Sequence, residues 1–183
     1  MLEILKTAIK KIERYYFERK ERDFAYELYH QLRLIKLPLN TEVTCEHPKT
    51  RFTFGDAVFN EPLIRKNFFS YEINENNRIC RYPDLLIHEF DNRKQQLIAI
   101  EIKRGGVANQ IKKDLAKLIV YCRGRLKYQK GVLIIIHPRQ DIDQIIEVPN
   151  IHEMLREYPE VEIWTVCPER IDVYNSITIN NQN

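Results

Sequence analysis

None of the four cysteines, Cys45, Cys80, Cys122 and Cys167, stands in a CxxC pair, so their spacing offers neither a zinc site nor a disulfide framework. Buried free thiols are the expectation, since cysteine without a partner behaves as a small interior hydrophobe. Histidine is scarce and shows no ligand spacing, and no stretch has the look of a base-reading element. Long apolar runs are also missing: none approaches the ~20 residues that cross a bilayer. The opening "MLEILKTAIKKIERYY" threads charges through its apolar positions, which a secretory leader does not do. A soluble, cytoplasmic protein with no membrane contact is therefore expected. At 183 residues and 44% apolar, the chain has material for one sizeable core, and a single domain over 1–183 is expected.

The net charge is only +3, but it is unevenly spread. Between 104 and 130 stand Arg104, Lys112, Lys113, Lys117, Arg123, Arg125, Lys127 and Lys130 against Asp114 alone, and the rest of the chain is net negative. Such a block reads either as a phosphate-tracking surface or as a solvated face.

Periodicity supplies the frame. Leu2, Leu5, Ile9, Ile12 and Tyr16 are spaced 3, 4, 3, 4, a helical stripe within an N-terminal segment 1–20. Packing on the domain and a homodimer seam are its two readings. A second helix is expected from Asp23 to about Leu37, with Phe24, Leu28, Leu32 and Ile35 on one face, Glu27 and Gln31 on its flank, and Pro38 ending it. "EVTCEH" alternates like a short strand, with Glu46 near its end. Residues 48–77 lack a clean period and read as an irregular insertion with a short strand near "NFFSYEI". "DLLIHEF" and "QLIAIEIK" read as an antiparallel hairpin about "DNRKQ". A helix follows, with Ile111, Leu115, Leu118, Ile119 and Cys122 apolar and Gln110, Asp114, Lys117 and Tyr121 on a separate polar face. "GVLIIIH" reads as a strand buried on both sides. A helix near Ile151 to Glu157, a strand "VEIWTV" with Trp164 in the core, and a tail over 171–183 complete the chain. The order implies an α/β fold with a mixed sheet flanked by helices.

The chemistry concentrates in the hairpin. Alternation puts Glu101 and Lys103 on one face with Leu97 and Ala99, while Ile98, Ile100 and Ile102 take the other. Ordinary pairing brings Asp84 opposite the end of its partner, close to Glu101. Two carboxylates so placed repel one another and resist burial, unless a divalent cation sits between them. Oxygen ligands without His or Cys suit Mg²⁺ or Mn²⁺. A metal beside a lysine is what phosphodiester hydrolysis requires, the lysine steadying charge that grows on phosphorus. A plain ion pair at a sheet edge is the simpler account of Glu101 and Lys103, and His88 reads as a structural strand histidine.

Pro83-Asp84, sixteen intervening residues and Glu101-Ile102-Lys103 resemble the signature of the PD-(D/E)XK nuclease superfamily. The resemblance implies a restriction-endonuclease-like core from about Asp23 to His137, preceded by an extra N-terminal helix. It implies Asp84, Glu101 and the Ile102 carbonyl as ligands of Mg²⁺ or Mn²⁺, Lys103 as the catalytic lysine, and Glu27 as a further acid from the first core helix. Polar residues of the helix after the motif, Gln110, Asp114, Lys117 or Tyr121, join the site in several members. The expected activity is a metal-dependent nuclease, endo or exo, acting on DNA ahead of RNA, alone or with a helper subunit. Arg104, Gln110, Lys112, Lys113, Lys117 and Tyr121 are the expected nucleic-acid contacts. An inactive binding or scaffold module of the same fold is the alternative.

Overall fold

Among the described residues, three helices and a strand open the chain. α1 (Leu2–Lys10), α2 (Arg14–Phe17) and α3 (Glu21–Leu34) lead into β1 (Thr41–Cys45) in the computed structural model. It describes residues 1–45, 51–53, 61–64, 78–80, 83–89, 96–105, 107–124, 126–136 and 146–175, with only the backbone of 51–53 and 78–80. The remaining elements are β2 (Arg51–Thr53), β3 (Arg78–Cys80), β4 (Leu85–Glu89), β5 (Gln96–Arg104), α4 (Ala108–Arg123), β6 (Lys130–Ile136), α5 (Pro149–Glu157), β7 (Val161–Cys167) and β8 (Arg170–Tyr174).

Six strands form one open mixed sheet in the order β1-β4-β5-β6-β7-β8. β5, β6 and β7 are parallel; β1, β4 and β8 join antiparallel. Alternation divides its side chains between two helical layers. Leu85, Ile87, Ile98, Ile100, Ile102, Val132, Ile134 and Trp164 pack with α1, α2 and α3, whereas Leu86, Ala99, Leu133, Ile135 and Ile163 pack with α4 and α5. β6 is thus buried on both faces, as its unbroken apolar run implies. The chain is an α/β fold with a mixed sheet flanked by helices.

Several boundaries differ from the sequence expectation. The single N-terminal helix is broken: Glu13 is extended, and the break turns Phe17 into the core against Phe24, ring centroids 5.2 Å apart. The stripe of α1 is used inside the chain, with Leu5, Ala8, Ile9 and Ile12 buried on the sheet. α3 stops at Leu34 because Ile35 is already extended ahead of Pro38. Leu97 does not share the Ala99 face. The β4–β5 register shifts there, His88 pairing with Gln96 and Ile87 with Ile98, and the extra residue Leu97 packs toward the α1–α3 layer.

Residues 171–183 are not simply a tail, since Arg170–Tyr174 form β8, paired along β7 from Cys167 to Ile163. The 48–77 stretch is not wholly irregular either. Arg51–Thr53 pair with Arg78–Cys80 in a separate two-stranded ribbon, and Ile64 is fully buried against the α4 layer. Of the cysteines, Cys122 is buried, but Cys45 and Cys167 are only half-buried. The "NFFSYEI" segment, the "DNRKQ" turn, Glu46, Arg125 and His137 lie outside the described residues. No helix among the described residues is long and apolar enough to cross a membrane.

Candidate active site

β4 begins at Leu85, paired with Ile100, so Asp84 sits one step beyond the ladder, level with Glu101. There its carboxylate replaces the missing strand: Oδ2 accepts the Ile102 amide hydrogen at 2.6 Å. A carboxylate on a main-chain N–H is a strong acceptor and locks the side chain in place. Burial nonetheless raises the Asp84 carboxyl above its ordinary range, with Ile102, Lys117 and Lys103 opposing.

Glu101 lies on the α4 side of the sheet and is 1% exposed. Its Oε2 meets Lys117 Nζ at 2.5 Å, while Oε1 is buried with no hydrogen-bond partner. Burial pushes this carboxyl up to about 8; Lys117 opposes the shift, and the charges of Asp84 and Asp114 add to it. A buried polar atom left unpaired costs about 1–3 kcal/mol, and such groups in native folds usually have a reason to be there.

Lys103, half-buried, is held by Glu21 Oε1 at 3.3 Å and Asp114 Oδ2 at 3.7 Å. Burial alone would lower its pKa, but Asp114, Glu21, Asp84 and Glu101 outweigh it and the net shift is upward. Lys103 is therefore a firmly protonated ammonium. Glu21 has a second duty, its Oε2 accepting the Arg104 amide at 2.9 Å. Gly105, at φ 72°, then turns the chain off β5 toward α4, a conformation that suits a residue without Cβ.

Structure and expectation part in four places. The α3 carboxylate that reaches Asp84 and Lys103 is Glu21, whose charge acts on both. Glu27 lies nearly two turns further on, bonded by Gln31 at 2.7 Å and acting on Tyr16. Lys117 is buried against Glu101, with Asp114 at 3.8 Å, so it does not face a phosphate backbone. Tyr121 is fully buried, edge-on to Tyr128 at 6.1 Å, and is core. The basic block disperses. Arg123 pairs with Glu160, Lys130 with Glu162 and the Pro159 carbonyl, and Lys127 with the Arg123 carbonyl. Lys113, Gln110 and Arg104 are exposed and Lys112 is half-buried. His88 is at the far end of β4, beside Thr44 and Glu42.

Glu21 had a signal in the sequence. It heads the buried stripe Phe24, Leu28, Leu32 at spacing 3, 4, 4, so it faces the sheet where an apolar residue would otherwise stand. The fold and site together define an α/β chain in which a buried carboxylate, Glu101, a half-buried one, Asp84, and the Lys103 ammonium meet along the C-terminal half of β5. No protein-family model, curated protein or solved structure matches it.

Proposed function

We propose that this chain is a divalent-metal-dependent phosphodiester hydrolase acting on nucleic acid, with the α3-β1-β4-β5-α4-β6 portion as a restriction-endonuclease-like core. The observation that carries the reading is Glu101: a buried carboxylate with an unpaired oxygen, level with Asp84 and two residues from a protonated lysine. Among the described residues no three His, Cys, Asp or Glu side chains are arranged around a common cation position. The superfamily set needs only two, since a main-chain carbonyl completes it, and hard oxygen donors fit Mg²⁺ or Mn²⁺. Asp84, Glu101 and the Ile102 carbonyl would hold the ion, which when bound supplies Lewis acidity and a more acidic water.

The chain's own residues do the rest. The Ile102 amide fixes Asp84 by one oxygen, leaving Oδ1 as its donor. Lys103 carries a permanent charge beside the phosphate position and stabilises the negative charge that builds as the bond to phosphorus breaks. It is too well supplied with carboxylates to act as a base at neutral pH. Glu21 and Asp114 aim it from either side.

The Lys117–Glu101 contact favours the second reading, a binding or scaffold module in which a lysine permanently neutralises the acid. Nicking assays with Mg²⁺ and Mn²⁺ on single- and double-stranded DNA and on RNA separate the two. The expected result is cutting that Asp84→Asn abolishes and Lys103→Met lowers by about 100-fold or more, with gel-shift affinity in EDTA retained by Asp84→Asn. A wild-type protein that binds but never cuts any of these substrates removes the hydrolase and leaves the module.

A further inference from the structure

We infer that the pocket between α2 and the first half of α3 is a subsite for one unpaired nucleobase, on a strand whose backbone continues to Lys103. The inference rests on the nucleic-acid reading above. Tyr15, Tyr16, Arg19, Asp23, Tyr26 and Glu27 line a pocket of about 400 Å³. That volume lies within the ~300–1,000 Å³ of small-ligand sites.

Two of its tyrosines are not placed for the core. Tyr15 is 52% and Tyr26 46% exposed. A guanidinium lies over one face of each, Arg19 at 4.2 Å from the Tyr15 ring centre and Arg22 at 5.9 Å from that of Tyr26, so a base would take the opposite face. Aromatic faces offer stacking to any base, and neighbouring cations track the phosphates on either side of it. Asp23 and Glu27 line the same pocket. Carboxylates repel a phosphate but accept hydrogen bonds from base N–H groups, so the base belongs inside and the backbone at the arginine rim.

The pocket is also joined to the site. The Arg19 carbonyl accepts from the Arg104 guanidinium, the Arg104 amide donates to Glu21 at 2.9 Å, and Glu21 pairs with Lys103 at 3.3 Å. A base already stacked and paired in a duplex cannot enter. The substrate class is therefore a single strand, or an end or junction with an unpaired nucleotide beside the scissile phosphate.

Fluorescence anisotropy in EDTA tests this with a labelled DNA oligonucleotide, single-stranded or as its blunt duplex. Tyr15→Ser with Tyr26→Ser is expected to weaken single-strand binding by about 5- to 150-fold, the range for lost base–aromatic stacking, and to leave duplex affinity unchanged. Tyr15→Phe with Tyr26→Phe keeps the rings and is expected to bind as the wild type does. Both positions are exposed, and circular dichroism melting confirms that the variants fold. Unchanged single-strand affinity in the serine variant overturns the subsite, as does an equal loss on duplex or a wild type that binds neither. Loss of self-association in that variant, with nucleic-acid affinity intact, would assign the tyrosines to a protein contact and overturn it too. Tyrosine-dependent single-strand binding without metal-dependent cutting would keep the subsite and remove only the hydrolysis.

Discussion

Glu101 carries the largest electrostatic strain at the site, and its titration should be measurable as stability. From the ordinary 4.5 its carboxyl is raised to about 8 by burial. Between those two values the folded chain keeps a proton that the unfolded chain has released. Stability should therefore be full below about pH 4.5, fall as pH rises toward 8, and level off above. Asp84, raised in the same direction, adds to the early part of that decline. Glu101→Gln is expected to flatten the fall in Tm between pH 5 and 8, the two proteins differing most at the alkaline end. At about 2–4 °C per kcal/mol for a chain of this size, the difference is readable in thermal melts with EDTA present. Identical pH profiles would mean that Lys117 neutralises Glu101 throughout. At this scale the placement of Asp84 level with Glu101, and of Lys103 two residues on, was legible, because alternation holds from Ile98 onward; the bulge at Leu97 carries no such signal. Their partners were not. The contacts of Lys117 and Glu21 depend on how α4 and α3 sit across the sheet, and a helical period gives a face without saying what it meets.

Among the elements, α4 matters most for the site, since it brings Asp114 and Lys117 to Lys103 and Glu101. Its seat on the sheet depends on Gly131 at the start of β6. A Cβ there would come within 3.0 Å of Leu118 Cβ, 3.3 Å of Cys122 Sγ and 3.4 Å of Val161 Cγ2. Leu118 Cβ is fixed to the helix backbone and cannot swing away, so the helix itself must lift. Gly131→Ala is expected to cost about 1–3 kcal/mol, seen as a lower urea midpoint, because overpacking a filled core strains it by that much. It should also loosen the Lys117–Glu101 contact, and an unchanged midpoint would show that α4 gives way freely. Most elements could be located from the sequence because their apolar period was strong. β8 was overlooked although Ile171 and Val173 alternate with Asp172, since a five-residue edge strand gives period two little room. The break between α1 and α2 had no Gly or Pro to announce it, being set by the burial of Phe17.

For the whole molecule, the dispersal of the basic block limits how many charges a nucleic acid could use under the proposed function. Lys117, Arg123 and Lys130 are committed to Glu101, Glu160 and Glu162. Removing surface Lys112 and Lys113 by alanine substitution is expected to reduce the slope of log affinity against log salt by roughly 0.7–0.9 per charge, whereas Lys117→Met should leave it unchanged. Slopes that fall equally in all three variants would return Lys117 to the binding surface. One face of the sheet is also closed by α1. Leu5, Ala8 and Ile9 of α1 share a core with Trp164 and Val166 of β7, and Lys6 lies 5.7 Å from the centre of the Trp164 ring. During synthesis α1 leaves the ribosome well before β7, the strand it helps to cover. Until then its apolar face can rest on α3 but not on β7. The contact spans almost the full described chain, so docking α1 carries a large loop-closure cost and belongs late in folding. In that interval the nascent chain exposes part of the stripe and the uncovered sheet face, which makes the β7 stage the point at which a holding chaperone would matter most.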